Sequence, residues 1–430
     1  MNGDTVLVGS YWDDVGSNTD QGSVYVFTRS GTTWTQQARL TASDGATGDS
    51  LGISAAIDGN LAVAGAWFDD VGSNIDQGSA YVFTRASGVW TQQDKFVASD
   101  GAGGDLFGYS VRVDDDTAVA GTFRHEIDSR SRQGAAYVFT RSGSNWSQQA
   151  MLTASEGAAF DAFGFSVSVD GDTTVVGAAH HDFVGSSTCC SSQGAVYVFT
   201  RSDITWSQQA KLEASDGAIN DRLGYSVAVS GATVIAGADG DDIGANLDQG
   251  SVYVFTRSGT TWTQRANMTA SDGGASDDFG HFVALAGDLA VVGAPSHHVG
   301  GISQGSAYAF TTAANLTPTP TATPTPTPTP LPVPGASAWG LAALGAALAV
   351  IAAWMALRRR KSCWTESPSR PEWRAKGPSP MSLSIGRPLA LAPGGEVSLR
   401  SARGSAGHQE LALQSFRLNE RAAVVWRLSP

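Results

Sequence analysis

Cysteine is almost absent: three residues in 430 are too few for a disulfide framework. Charge is sparse as well. Asp, Glu, Lys and Arg make up 16% of the chain, which argues against a helical bundle or a coiled coil. Bases are scarcest over residues 1–315, with 14 Lys and Arg against 35 Asp and Glu. A body at net −21 will not hold nucleic acid through its phosphates, so no nucleic-acid partner is expected. The other 13 bases, with only 5 acids, lie from Arg358 onward. No secretory leader is visible, because the opening MNGDTVLVG already reads as a strand. Glycine, by contrast, is plentiful at 51 residues, alongside 17 Phe, 12 Trp and 9 Tyr. That mixture points to many short strands joined by tight turns.

The chain repeats itself. Gln-Gly recurs at 21–22, 77–78, 133–134, 193–194, 249–250 and 304–305, at spacings of 56, 56, 60, 56 and 55. Leu/Phe-Gly keeps step at Leu51-Gly52, Phe107-Gly108, Phe163-Gly164, Leu223-Gly224 and Phe279-Gly280. A glycine closes each Val-rich run at Gly9, Gly65, Gly121, Gly177, Gly237 and Gly293, and a Trp marks each unit at Trp34, Trp90, Trp146, Trp206 and Trp262. In the unit 163–218, FGFSVSV (163–169) is a strand, a, and Asp170-Gly171 is a hairpin signal. TTVV (173–176), AVYVFTR (195–201) and WSQQAKL (206–212) are strands b, c and d. Four antiparallel strands per repeat of this length make a β-propeller blade, and a blade needs neighbours to bury its faces.

Residues 1–49 supply b, c and d with no a, and 279–312 supply a, b and c with no d. The expectation is an all-β propeller of six four-stranded blades over 1–315 with both end blades incomplete, 22 strands in all. Propellers close by pairing strands from the two termini, so Met1 is expected not to be the true start. Seven blades remain open if more sequence precedes it.

The Phe-Gly…Gly-Ala pattern, seen in Phe163-Gly164…Gly177-Ala178 and Phe279-Gly280…Gly293-Ala294-Pro295, resembles the FG-GAP repeat of integrin α-chain propellers and their bacterial relatives. The resemblance covers about 1–312 and implies a cell-surface binding propeller without catalysis. It also implies a DxDxDG-type calcium loop between strands a and b. Here that link is only Asp58-Gly59-Asn60 or Asp170-Gly171-Asp172, so calcium does not carry over to that position.

Residues 316–334 form a Thr-Pro stalk, extended and semi-rigid because alternating proline blocks helix and sheet. Residues 335–357 run 23 positions without a charge and match a transmembrane helix; Arg358, Arg359, Arg360 and Lys361 follow and place the C-terminal side in the cytoplasm. The propeller is thereby expected outside, extracellular or periplasmic. PVPGASAWG (332–340), the span and the basic cluster also resemble bacterial sorting tails of the PEP-CTERM or IPTL kind, although 69 residues follow the cluster here. The basic tail within 358–430 reads as disordered or as a reading-frame artefact.

Two carboxylate patterns fall on the face carrying the b–c and d–a loops. The d–a loops hold Asp44 and Asp49, Asp100 and Asp105, Glu156 and Asp161, Asp216 and Asp221, and Asp272 and Asp277. The b–c loops hold Asp13-Asp14, Asp69-Asp70, His125-Glu126, His181-Asp182, Asp241-Asp242 and His297-His298. Oxygen ligands on loops suit Ca²⁺, and the histidine-bearing units suit a transition metal. The competing reading is turn chemistry, since Asp side chains bond nearby backbone. The opposite face carries Arg29, Arg85, Arg141, Arg201 and Arg257, read as strand-end charge or as a ring for anionic glycans. The Trp of each unit reads as packing between blades rather than as a sugar platform.

No Ser-His-Asp or Cys-His set stands apart, so no enzyme is expected; Cys189 and Cys190 read as unpaired loop thiols. Function is therefore expected to be adhesion or binding of an extracellular protein or glycan through the acidic face. A structural envelope component is one alternative. A hydrolase or lyase in the axial channel is another, which a non-repeating polar cluster on the inner strands would favour; there only Arg112 and His281 are unusual.

Overall fold

The computed structural model describes residues 3–181, 192–299 and 302–312, and the backbone of two short strands, Glu396–Val397 and Phe416–Arg417. The chain divides into two compact units, Met1–Cys363 and Trp364–Pro430. In the second unit those two strands pair antiparallel. The stalk, the 335–357 segment, nearly all of the basic tail, and Cys189 and Cys190 lie outside the described residues. No helix among the described residues is long and apolar enough to cross a membrane.

The first unit is a propeller of six blades. Blade 1 comprises β1 (Thr5–Ser10), β2 (Ser23–Ser30) and β3 (Thr33–Leu40). Blade 2 comprises β4 (Leu51–Asp58), β5 (Leu61–Ala66), β6 (Ser79–Ala86) and β7 (Val89–Phe96). Blade 3 comprises β8 (Ser110–Asp114), β9 (Thr117–Thr122), β10 (Ala135–Ser142) and β11 (Asn145–Leu152). Blade 4 follows with β12 (Phe163–Asp170), β13 (Thr173–Ala178), β14 (Ala195–Ser202) and β15 (Thr205–Leu212). Blade 5 has β16 (Ser226–Ser230), β17 (Thr233–Ala238), β18 (Ser251–Ser258) and β19 (Thr261–Met268). Blade 6 has β20 (Phe282–Ala286), β21 (Leu289–Ala294) and β24 (Ser306–Thr311). A small hairpin, β22 (His298–Val299) with β23 (Ile302–Ser303), sits inside its b–c loop. The 22 propeller strands and the two three-stranded end blades agree with the repeat count.

The repeat signature is the joint between blades. The b strand of one blade runs so close to the a strand of the next that a β-carbon at Gly65 would collide with the Gly108 carbonyl. Glycine is needed there for space. The Leu or Phe before that carbonyl's glycine is fully buried and donates its N–H to the glutamine carbonyl of the preceding blade's Gln-Gly, at 2.8 Å for Phe107 to Gln77. Around it sits an apolar core shared by two blades. Phe107, for example, packs with Val63 and Val82 of blade 2 and Tyr137 and Phe139 of blade 3. The described residues hold five such cores, one for each joint from blade 1/2 to blade 5/6.

The d strands add a second tie. Trp90 Nε1 donates to Gln37 of the preceding blade (3.1 Å), and Trp206 and Trp262 do the same to Gln149 and Gln209 (2.8 Å each). The Trp is inter-blade packing, as expected.

Candidate functional site: the carboxylate loop face

Both loop sets emerge on one face and lock together. Asn18 Nδ2 of a b–c loop donates to Gln21 Oε1 and to the carbonyl of Gly45 in the following d–a loop, at 2.9 Å each. The same bonds recur at Asn74 and Asn246. A β-carbon on Gly45 would strike the Gln21 side chain, so Asp-Gly in one loop and Gln-Gly in the other form a mated pair.

The second d–a acids (Asp49, Asp105, Asp161, Asp221 and Asp277) are all buried, at 2–5% exposure. Each accepts the backbone N–H three residues upstream, as in Asp105 from Ala102 at 2.8 Å and Asp161 from Ala158 at 2.7 Å. These side chains close their own loops. The b–c loop acids Asp14, Asp70 and Asp242 likewise accept the N–H six residues on, from Asp20, Asp76 and Asp248, at 2.8–3.0 Å.

The first b–c position meets the second d–a acid across the loops. Three blades place histidine there. His125 Nδ1 donates to Asp105 (2.8 Å), His181 Nδ1 to Asp161 (2.9 Å) and His297 Nδ1 to Asp277 (2.7 Å). These histidines are buried at 6%, beneath the loop face rather than at its tips. His125 is held above its ordinary value: burial pulls it down, but Asp105 and Asp100 outweigh that.

The other blades place Asp at that position, and in blades 2 and 5 its charge acts on a buried carboxylate of the d–a loop, Asp69 on Asp49 and Asp241 on Asp221. Asp13, Asp69 and Asp241 each accept from a Ser and a Tyr of the adjacent c strand: Ser23 and Tyr25, Ser79 and Tyr81, and Ser251 and Tyr253. Asp49 is pushed up to about 6, first by burial and then by Asp69 and Asp70, against the Ala46 amide. Asp221 is also pushed up to about 6 by burial, with Asp241, Asp242 and Asp216 adding to it. Burial raises Asp241 as well. Asp13 runs the other way, because Ser23, Tyr25 and Arg39 outweigh its burial.

The first d–a acids form the exposed rim. Asp44, Asp100, Glu156 and Asp272 have side chains 47–64% exposed. Tyr137 Oη donates to Asp100 (2.6 Å) and Tyr308 Oη to Asp272 (2.9 Å). Lys95 Nζ bridges Asp44 (2.8 Å) and Asp69 (2.7 Å). Lys211 Nζ contacts Glu156 (3.3 Å) and Glu213 (2.8 Å). In blade 5 the residue in register with Lys95 is Asn267, and no ion pair among the described residues involves Asp216, Asp221 or Asp241. In blade 4, Tyr197 Oη and His181 Nε2 are buried without a hydrogen bond among the described residues. No three His, Cys, Asp or Glu side chains among the described residues gather in a geometry that could hold a metal.

The c-strand tyrosines and the d-strand cations contact these acids, which the loop motifs alone did not reveal. Their signal is recurrence: Tyr sits at one place in each c strand, two residues ahead of Phe.

Near the axis, on the same face, the repeat breaks down. Partly exposed rings run from Trp67 to Tyr109 (5.4 Å between centroids), to Phe165 (5.0 Å), to Tyr225 (4.8 Å) and to His281 (4.5 Å). His281 Nδ1 donates to the buried Asp239 Oδ2 at 2.7 Å, and Arg222 Nε lies 3.0 Å from Asp239 Oδ1. No hydrogen bond among the described residues joins His281 to a serine, threonine or cysteine. Arg112 donates to the Val111 carbonyl (2.9 Å), and desolvation lowers its pKa from the ordinary arginine value.

On the opposite face the arginines are occupied. Arg29, Arg141 and Arg201 pair with Asp4, Asp116 and Asp172 at 2.6–2.8 Å, and all five arginines stack on the Trp of their own c–d turn at 5.1–5.5 Å. A cavity of about 450 Å³ opens there between Asp58, Asn60, Thr84, Arg85, Asp116 and Arg141. Arg85 in it meets Asn60 Oδ1 (2.8 Å) where Arg29, Arg141 and Arg201 meet Asp4, Asp116 and Asp172; the turn facing Arg257 has Ala232 at that place.

Comparison with known families matches the FG-GAP repeat six times, over residues 1–27, 34–83, 90–139, 146–199, 206–255 and 262–310. No curated protein matches the chain. With well over half its length in those six matches and six blades built on the Phe-Gly…Gly-Ala joint, the chain belongs to the FG-GAP repeat family.

Proposed function

We propose that the chain is a non-catalytic binding or adhesion propeller whose partner, an extracellular protein or glycan, meets the carboxylate loop face. The observation that carries this reading is the rim of Asp44, Asp100, Glu156 and Asp272. These half-exposed acids recur from blade to blade on loops pinned from beneath by buried Asp49, Asp105, Asp161 and Asp277. A rigid, repeated, charged surface is preorganised, so little ordering cost is added on binding. Placement outside a membrane rests on the uncharged 335–357 segment and the basic cluster after it.

The test compares adhesion of the full chain to arrayed extracellular glycans and matrix proteins with that of two variants. Glu156→Gln with Asp272→Asn should lose binding, and Arg141→Gln on the opposite face should keep it. The reverse pattern would move the site to the arginine face and its cavity.

Calcium would have to displace bonds these carboxylates already make, to their own loop amides and, in blade 2, to Lys95. Blade 5, with Asn267 in place of lysine, is where a cation would meet least competition.

A catalytic alternative is favoured by one observation, the non-repeating Asp239–His281–Arg222 group at the axis. It predicts that His281→Gln abolishes hydrolysis or elimination in a screen of glycosidic and ester substrates. A wild-type chain silent across that screen removes this reading.

A further inference from the structure

Five joints between blades are built alike, and the joint between blade 6 and blade 1 lacks its inner strand among the described residues. At Gly9, Gly65, Gly121, Gly177 and Gly237 a β-carbon would run into the carbonyl of the next blade's Leu/Phe-Gly glycine; at Gly293 nothing lies nearer than 3.5 Å, and that atom belongs to Phe282 of its own blade. The c-strand residues facing the next blade are 0–1% exposed in blades 1 to 5, as at Val24, Val26, Ala136 and Val138. Their counterparts on β24, Ala307 and Ala309, are exposed. Across the joint, Tyr25 and Phe27 of blade 1 are only half-buried, where Tyr81, Tyr137, Tyr197 and Tyr253 are at 0%. The reason is that, among the described residues, no Leu or Phe of an inner strand packs on them as Phe107 packs on Tyr137 (5.7 Å). Among the described residues β1 pairs with β2 on one edge only.

We propose that this open joint is a strand-acceptor groove, and that its occupant is one extended polypeptide segment of the Leu/Phe-Gly-x-Ser-Val type from outside the six described blades. The five filled joints specify the occupant. Its backbone would add antiparallel to the free edge of β1, as β4 adds to β5. Its Leu or Phe would cover Tyr25 and Phe27. Its glycine carbonyl would seat over Gly293, where any side chain on the acceptor would block it. A free edge beside exposed apolar residues is what strand addition uses, and what folded proteins otherwise cover. This surface is separate from the carboxylate face and does not depend on the function proposed for it.

The test titrates the purified full chain into a labelled peptide FGFSVSVD, copied from Phe163–Asp170, and follows anisotropy. Saturable binding is expected. It should weaken at least tenfold when the peptide glycine is replaced by valine, and at least tenfold again with the Gly293→Ala chain. That variant should melt with the wild type, since an alanine β-carbon meets only ordinary contacts there. No binding, or binding indifferent to both changes, overturns the proposal. So does a concentration-dependent dimer that the peptide fails to dissociate, because a second copy would then be the occupant.

Discussion

Gly237 and Gly293 hold the same place in the repeat and face opposite surroundings. A β-carbon at Gly237 would strike the Gly280 carbonyl, whereas at Gly293 it would touch only Phe282 at 3.5 Å. Backbone cannot move aside as a side chain can, so Gly237→Ala should cost on the order of 3 kcal/mol, at the upper end for an overpacked site. Gly293→Ala should stay within about 0.5 kcal/mol, the ordinary range away from special features. Chemical denaturation of the two variants side by side decides this; equal losses would mean the two joints are equally filled.

Asp221 carries the residue-scale pH argument. Its pKa, about 6 when folded, stands above an unfolded aspartate near 3.9. The folded state therefore binds the proton more tightly, and stability falls as pH rises from about 4 to about 6. Asp221→Asn keeps an acceptor for the Ala218 amide and removes the charge. It should raise stability at pH 7.5 by about 1 kcal/mol, a value discounted for solvent screening. At pH 4 the gain should vanish. Melting curves at the two pH values measure it, and a gain that persists at pH 4 would assign the effect to packing.

At the scale of elements, the inner-strand aromatic decides whether two blades act as one. Phe163 is fully buried in the core shared by blades 3 and 4, against Tyr197 (5.4 Å) and Phe199 (5.9 Å). Phe163→Ala should cost about 3–5 kcal/mol. Because each blade contacts only its neighbours, the loss should broaden the unfolding transition as well as lower its midpoint. A sharp single transition at a lower midpoint would show that the ring still unfolds as one unit.

The strands were legible because their register repeats: β12 to β15 start within one residue of the expected positions. The partners were less so. Asp105 and His125 lie 20 residues apart, on different loops, and only the folded blade brings them to 2.8 Å. Sequence placed both on the right face, but could not show that Asp49 or Asp161 turns inward to its own loop while Asp44 or Glu156 stays at the rim. The axial group was harder still. His281 stood out on its strand, but Asp239 and Arg222 come from other segments and follow no period.

At the largest scale described, the propeller is a polarised disc. One face presents exposed carboxylates on pinned loops, and the other presents arginines stacked on tryptophans and mostly paired. On this account the buried carboxylates are fixtures of the loops, and the face they support is ready to bind without a metal. The most direct test is thermal unfolding of the full chain in excess EDTA and then in millimolar Ca²⁺. A ligand at 100 times its Kd stabilises by about 2.7 kcal/mol, which moves the midpoint by several degrees even in a domain of this size. The account predicts midpoints that agree within about a degree. An upward shift of several degrees in calcium, lost in Asp216→Asn, would contradict it and turn blade 5 into a calcium site.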